Sequence, residues 1–197
     1  MGNKIVAAKF VSALTNPALV LLAAMLVLVW RYADNQGEFW RWAVAGTALL
    51  IAPGVLYAAI IWRKEKAVDI DLSNRQDRVV PLVLASLGAL IGGYLLRERN
   101  IDERLVTVSY IFVAVVMALT IITLVWKISL HATTLSALVS LLVFFRSDSF
   151  VYGYLLLLPI AWARLTLKQH TPAQIIGGAL VGSLMTLILG AFFSSRQ

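Results

Sequence analysis

The sequence predicts an all-α fold: a polytopic transmembrane helical bundle of about six to seven spans. Three observations lead there. Of the 197 residues, 60% are hydrophobic and 14% charged, with a mean hydropathy of +0.85, far from the balance of a soluble domain. Apolar runs near spanning length recur along the chain, separated by short basic loops. Tryptophan and tyrosine gather at the ends of several runs, where an aromatic side chain sits between hydrocarbon and water. The net charge of +7 lies in those loops, so it suits anionic headgroups and phosphates, and no nucleic-acid partner is expected. The chain has no cysteine, which excludes disulfides, thiolate catalysis and cysteine metal sites.

Residues 1–15 (MGNKIVAAKFVSALT) are weakly amphipathic and are expected to rest on the membrane surface. No small-residue cleavage site follows, so no cleavable leader is expected. Asn16 then reads as an N-cap with Pro17 at the first helical position, opening a first span to about Trp30, where Trp30, Arg31 and Tyr32 anchor the interface. A second span runs between Trp40 and Trp62, with a kink expected at Pro53-Gly54. The longest polar segment, residues 63–78, follows. A third span over 79–96 carries Gly88, Gly92 and Gly93 for close packing. A fourth covers 105–126 and a fifth 130–145. A sixth covers 150–164, with Pro159 near its end. A seventh covers 172–193, with Gly178, Gly182, Thr186 and Gly190 four apart as a packing face. One integral membrane domain over 1–197 is expected, with helices 1–62 preceding a core at 63–182.

If all seven segments cross, parity brings the polar stretches 63–78, 127–131 and 164–171 to one membrane face. They contribute Arg75 and Arg78, then Lys127, Ser129 and His131, then Arg164, Lys168 and His170. Guanidinium forks and an ammonium suit the oxygens of a phosphate. Of two imidazoles, one can attack phosphorus and the other protonate the departing oxygen. Thr171-Pro172-Ala173-Gln174 reads as a capping box for the last helix. Taken singly, His131 reads as a helix-start histidine satisfied by a neighbour, and Arg164 and Lys168 as residues reaching headgroups.

The spacing Arg164-x5-His170, together with Ser129-x-His131, resembles the membrane type 2 phosphatidic-acid phosphatase superfamily, the lipid phosphate phosphatases. Its signatures are Lys-x6-Arg-Pro, Pro-Ser-Gly-His and Ser-Arg-x5-His-x3-Asp. The likeness covers about residues 63–182. It implies a phosphohistidine intermediate on His170, His131 as general acid, Arg164 and Arg78 as phosphate ligands with Ser129 in the second signature, and no metal or other cofactor. Lys127 stands in for the missing signature lysine, and Arg75 adds charge beside Arg78. The chain departs from the pattern at Ala163 for serine, Gln174 for the orienting aspartate, Ile128 and Leu130 around Ser129, and Asp71 and Val79 in the first signature.

The expected function is hydrolysis of a phosphomonoester or diphosphate of a phospholipid or isoprenoid. Phosphatidic acid, phosphatidylglycerol phosphate and isoprenyl phosphates are candidate substrates, and membrane lipids the surroundings. The alternative is a catalytically decayed relative that binds lipid headgroups or acts as a scaffold. Asp69, Asp71 and Asp77 also suggest a magnesium-diphosphate site as in membrane prenyltransferases, but the sequence has no second aspartate cluster. The setting expected is a prokaryotic cytoplasmic membrane. Lys and Arg divide ten to seven between the two faces by parity, and six to seven without Arg75, Arg78, Lys127 and Arg164, so charge bias assigns no side.

Overall fold

The computed structural model describes residues 2–64, 74–99 and 103–194. Most of the polar segment at 63–78, including Asp69 and Asp71, lies outside the described residues. The described elements are helical throughout: α1 (Gly2–Leu14), α2 (Pro17–Tyr32), α3 (Gln36–Gly46), α4 (Ala52–Lys64), α5 (Val79–Glu98), α6 (Glu103–Val125), α7 (Leu130–Phe145), α8 (Leu157–Thr166) and α9 (Pro172–Ser194). Six stretches are long and apolar enough to cross a membrane, and α7 is a shorter apolar helix. The membrane-helical class read from the sequence stands.

The helices form two compact units. The first combines residues 1–21 with 127–197, and the second is 22–126. This division cuts across the stretch 63–182 that was expected to form one core.

In the second unit, α3 passes through a π-helical turn, Thr47–Ile51, into α4. This widened turn lies just before Pro53-Gly54, where a kink was expected. Proline offers no N–H to the carbonyl four residues before it, that of Leu49. Gly88 of α5 lies against that carbonyl so closely that a Cβ would overlap it. Gly93 likewise packs on Ser109 and Tyr110 of α6. The guanidinium groups of Arg31 and Arg104 lie over the Tyr32 ring, 5.5 and 5.2 Å from its centre, cation–π contacts suited to an interfacial anchor.

In the first unit α7 and α9 pack along their small-residue faces. A Cβ on Gly178 would meet the carbonyl of Ser129 and Thr133 Oγ1, and one on Gly182 would overlap Ser136 Oγ and the Thr133 carbonyl. Backbones approach this closely only where side chains are absent. Ile176, Leu180, Leu184 and Ile188 are exposed on the other side of α9, four residues apart on one stripe. Small inside and large outside is the arrangement lipid demands, because packing rather than water exclusion joins helices there.

The sixth segment differs from expectation. It begins as a 3₁₀ helix, Asp148–Leu156, before α8. At about 2.0 Å per 3₁₀ residue and about 1.5 Å per α residue, its 19 residues reach roughly 33 Å. The same residues in α conformation would reach roughly 28 Å, short of a hydrocarbon core of about 30 Å. Gly153 fits against Val139, and Tyr154 places its hydroxyl 2.6 Å from Ser140 Oγ. Leu135, Val139 and Ile160 form the buried apolar centre of this unit.

Residues 1–15 also depart from expectation. Instead of a free surface helix, α1 packs along α8, with Ala8 and Ser12 buried.

Candidate active site

α7 and α9 both begin at the same end of the first unit, tied by a hydrogen bond from Ser129 N–H to the Gln174 carbonyl, 3.1 Å. α8 ends there, so the last turn of α8 and the first turns of α7 and α9 bring Arg164, His131 and His170 to one end. All three are buried, Arg164 to 1% exposure, His131 to 3% and His170 to 6%. Within this unit one aspartate or glutamate, Asp148, stands against seven Lys and Arg. Asp148 lies beyond the far end of α7, a helix of 16 residues and so about 24 Å long. The histidine end is therefore basic, and its charge is set to receive an anion.

The α8–α9 turn is built by local chemistry. Lys168 N–H donates to the Leu165 carbonyl and Gln169 N–H to the Arg164 carbonyl, each at 3.0 Å. That is the Schellman closure, and it puts Lys168 in the left-handed region at φ 53°. A lysine there costs about 1 kcal/mol relative to glycine. The reversal leaves His170 two residues before Pro172, which opens α9.

Gln174 then does two things at once. Thr171 Oγ1 accepts the Gln174 N–H at 3.3 Å, and Gln174 Oε1 accepts the Thr171 N–H at 3.2 Å, completing the capping box. The same Oε1 lies 3.1 Å from His170 Nδ1. Because the Thr171 N–H can only donate, the atom facing it is the amide oxygen, and His170 Nδ1 must carry the proton. A neutral His170 therefore bears its lone pair on Nε2. The two readings of this tetrapeptide, helix cap and histidine orienter, hold together in one atom.

His131 is held by a different logic. Pro17 has no N–H for the carbonyl of Ala13, and Asn16 N–H serves that carbonyl instead, at 3.2 Å. In a regular helix Asn16 would have bonded Ser12. The Ser12 carbonyl instead faces His131 Nε2 at 3.2 Å, and a carbonyl only accepts, so Nε2 carries the proton. Ser12 Oγ accepts from Arg164 Nη1 and lies 3.4 Å from the same Nε2. The 3.5 Å between Arg164 Nη1 and His131 Nε2 thus separates two donors aimed at Ser12. Two N–H groups side by side are donors that an anionic oxygen can accept from.

The remaining expected residues take these places. Ser129 is fully buried and caps α7, accepting the Ala132 N–H at 3.5 Å. Lys127 is half-buried just before it. Arg75 and Arg78 belong to the second unit. Arg75 Nη1 donates to the Leu124 carbonyl at 3.0 Å, closing the end of α6. Arg78 is buried at the end of the 3₁₀ turn Gln76–Arg78. The described residues contain no cluster of three or more histidine, aspartate or glutamate side chains able to hold a metal. Ser12 is the residue that sequence reading missed. Its only local sign is Pro17 five residues later, and nothing local says that the freed carbonyl meets a histidine.

No family model, no curated protein and no solved structure matches the chain.

Proposed function

We propose that the chain is an integral membrane phosphatase acting on a lipid phosphomonoester or diphosphate. In this reading it is a divergent member of the lipid phosphate phosphatase superfamily, with the acyl or prenyl tail among the helices. His170 Nε2 attacks phosphorus, the bond from phosphorus to the ester oxygen breaks, and that oxygen takes the Nε2 proton of a charged His131. Water then attacks the phosphohistidine, returning a proton to His131 and releasing phosphate. Arg164 stabilises the transferring group through Nη1. Lys127, four residues before His131, and Lys168, two before His170, are the nearest further cations along the chain.

One observation carries the reading: Gln174 Oε1 fixes the Nδ1 proton of His170 and leaves Nε2 as the nucleophilic nitrogen. The amide supplies orientation without the negative charge of an aspartate, so turnover is expected to be slow. The reading is tested by phosphate release from phosphatidic acid, phosphatidylglycerol phosphate and isoprenyl phosphates by purified protein. His170→Ala and His131→Ala should each lower release by about 10²- to 10⁴-fold. Activity unchanged in either variant overturns the assignment.

A second reading, a headgroup-binding or scaffold protein, is favoured by Ser12 Oγ standing where a ligand oxygen would meet Arg164 and His131. Vesicle binding that depends on Arg164, with no phosphate release from any substrate, would select it.

A further inference from the structure

We infer that Ser12 is a positioning residue of the site: its carbonyl, freed by the Pro17 break, and its hydroxyl hold the His131 proton on Nε2 and hold the Arg164 guanidinium beside it. The catalytic consequence rests on the phosphatase reading, whereas the effect on His131 does not. The last four carbonyls of a helix have no partner within it, and in α1 three of them are traceable. Val11 accepts the Thr15 N–H and Thr15 Oγ1, Ala13 accepts the Asn16 N–H, and Ser12 meets His131.

The placement is specific because Ser12 is buried to 4% exposure and reaches His131 across 119 positions of sequence. The charged group facing the imidazole from α8 is Arg164. α9 carries no titratable side chain, and α1 carries Lys4 and Lys9, both exposed. An imidazole beside a guanidinium is otherwise free to turn its lone pair toward it, since a guanidinium only donates. Such a ring would present no proton at Nε2. Two acceptors from one residue prevent that turn. As the charged general acid His131 carries protons on both nitrogens, and the acceptors of Ser12 fix the ring so that Nε2–H is the one presented to the site.

The structure thereby assigns opposite neutral tautomers to the two histidines, Nε2–H at His131 and Nδ1–H at His170. Nitrogen NMR of the full chain labelled in histidine, in lipid nanodiscs, reads both directly, with His170→Ala for assignment. Ser12→Ala, Pro17→Ala and the double variant should shift the His131 nitrogens toward the Nδ1–H pattern, most in the double, and leave His170 unmoved as an internal control for folding. Phosphate release should fall by roughly 10- to 100-fold in Ser12→Ala, the scale of a misplaced catalytic group, and return largely in Ser12→Thr.

Identical tautomers in the wild type, or His131 signals unmoved in the folded double variant, overturn the inference. So does full activity of that double variant. Opposite tautomers that respond to Ser12 in a protein releasing no phosphate support the inference and remove the phosphatase.

Discussion

His131 and His170 are both buried imidazoles at helix starts on one end of the same unit, yet they are fixed by opposite means. His170 is oriented from within its own neighbourhood, by a glutamine four residues on that also caps the helix. His131 is oriented from outside, by a carbonyl that a proline released 114 residues earlier in the chain. In the proposed reaction the difference suits two roles. A nucleophile needs a lone pair at Nε2, which a local acceptor at Nδ1 secures. An acid needs a proton presented at Nε2, and the acceptor facing that atom comes from α1. Tertiary packing has to bring it.

The largest way to break this comparison is to remove either ring. His170→Ala and His131→Ala should each lower phosphate release by about 10²- to 10⁴-fold, the range of general acid–base and nucleophilic contributions. A single-turnover assay for labelled protein should tell them apart. Phosphohistidine should vanish in His170→Ala and still form slowly in His131→Ala with a substrate whose leaving group needs no proton.

The next sharpens the local half. Gln174→Leu removes the acceptor for both the Thr171 N–H and the His170 ring. It should lower kcat by roughly 100-fold and destabilise the folded state by about 1 kcal/mol through the lost cap. Gln174→Glu keeps the cap and adds the missing charge, and should raise kcat about tenfold, or about 1.4 kcal/mol at the barrier. A Glu variant slower than wild type would show that the amide is not a deficient aspartate. Neither change should move the His131 NMR signals.

Gly182→Ala tests the packing on which both histidines depend. Its Cβ overlaps Ser136 Oγ and the Thr133 carbonyl, so separation of α7 from α9 should cost about 1–3 kcal/mol, read from unfolding in detergent. An unaffected midpoint would show that the helices part freely. The smallest effect is at Lys168, held at φ 53°. Lys168→Gly should stabilise the fold by up to about 1 kcal/mol. If stability rises while phosphate release falls, the lysine serves the site by its charge, and a loss of stability would contradict the strain.

Much of the fold was legible in the sequence because its signals are short-range. The start of α5 at Val79, of α7 at Leu130 and of α9 at Pro172 fall where polar loops give way to apolar runs or where a serine or proline opens a helix. The small-residue stripe of α9 announced close packing, and its partner proved to be α7. The 3₁₀ stretch of the sixth segment was not legible. Most of its residues are ordinary helix and strand formers, and the contacts of Gly153 and Tyr154 with α7 that accompany the tighter winding are tertiary. The π turn before Pro53 escaped for a similar reason: Pro53 announced a distortion, but Gly88 packs at the Leu49 carbonyl that the proline leaves behind.

By itself, the sequence determined the membrane class, the starts of α5, α7 and α9, and the capping box that puts Gln174 within reach of His170. Each of these is settled by hydropathy or by hydrogen bonds spanning four residues or fewer. Only the tertiary structure decided that α1 lies on α8, that the two donors of Arg164 and His131 converge on Ser12, and that the second histidine therefore carries its proton on the other nitrogen. The physical reason is that a backbone carbonyl has no sequence signature. Every residue owns one, and which of them is left open to a side chain 119 residues away depends on how helices pack.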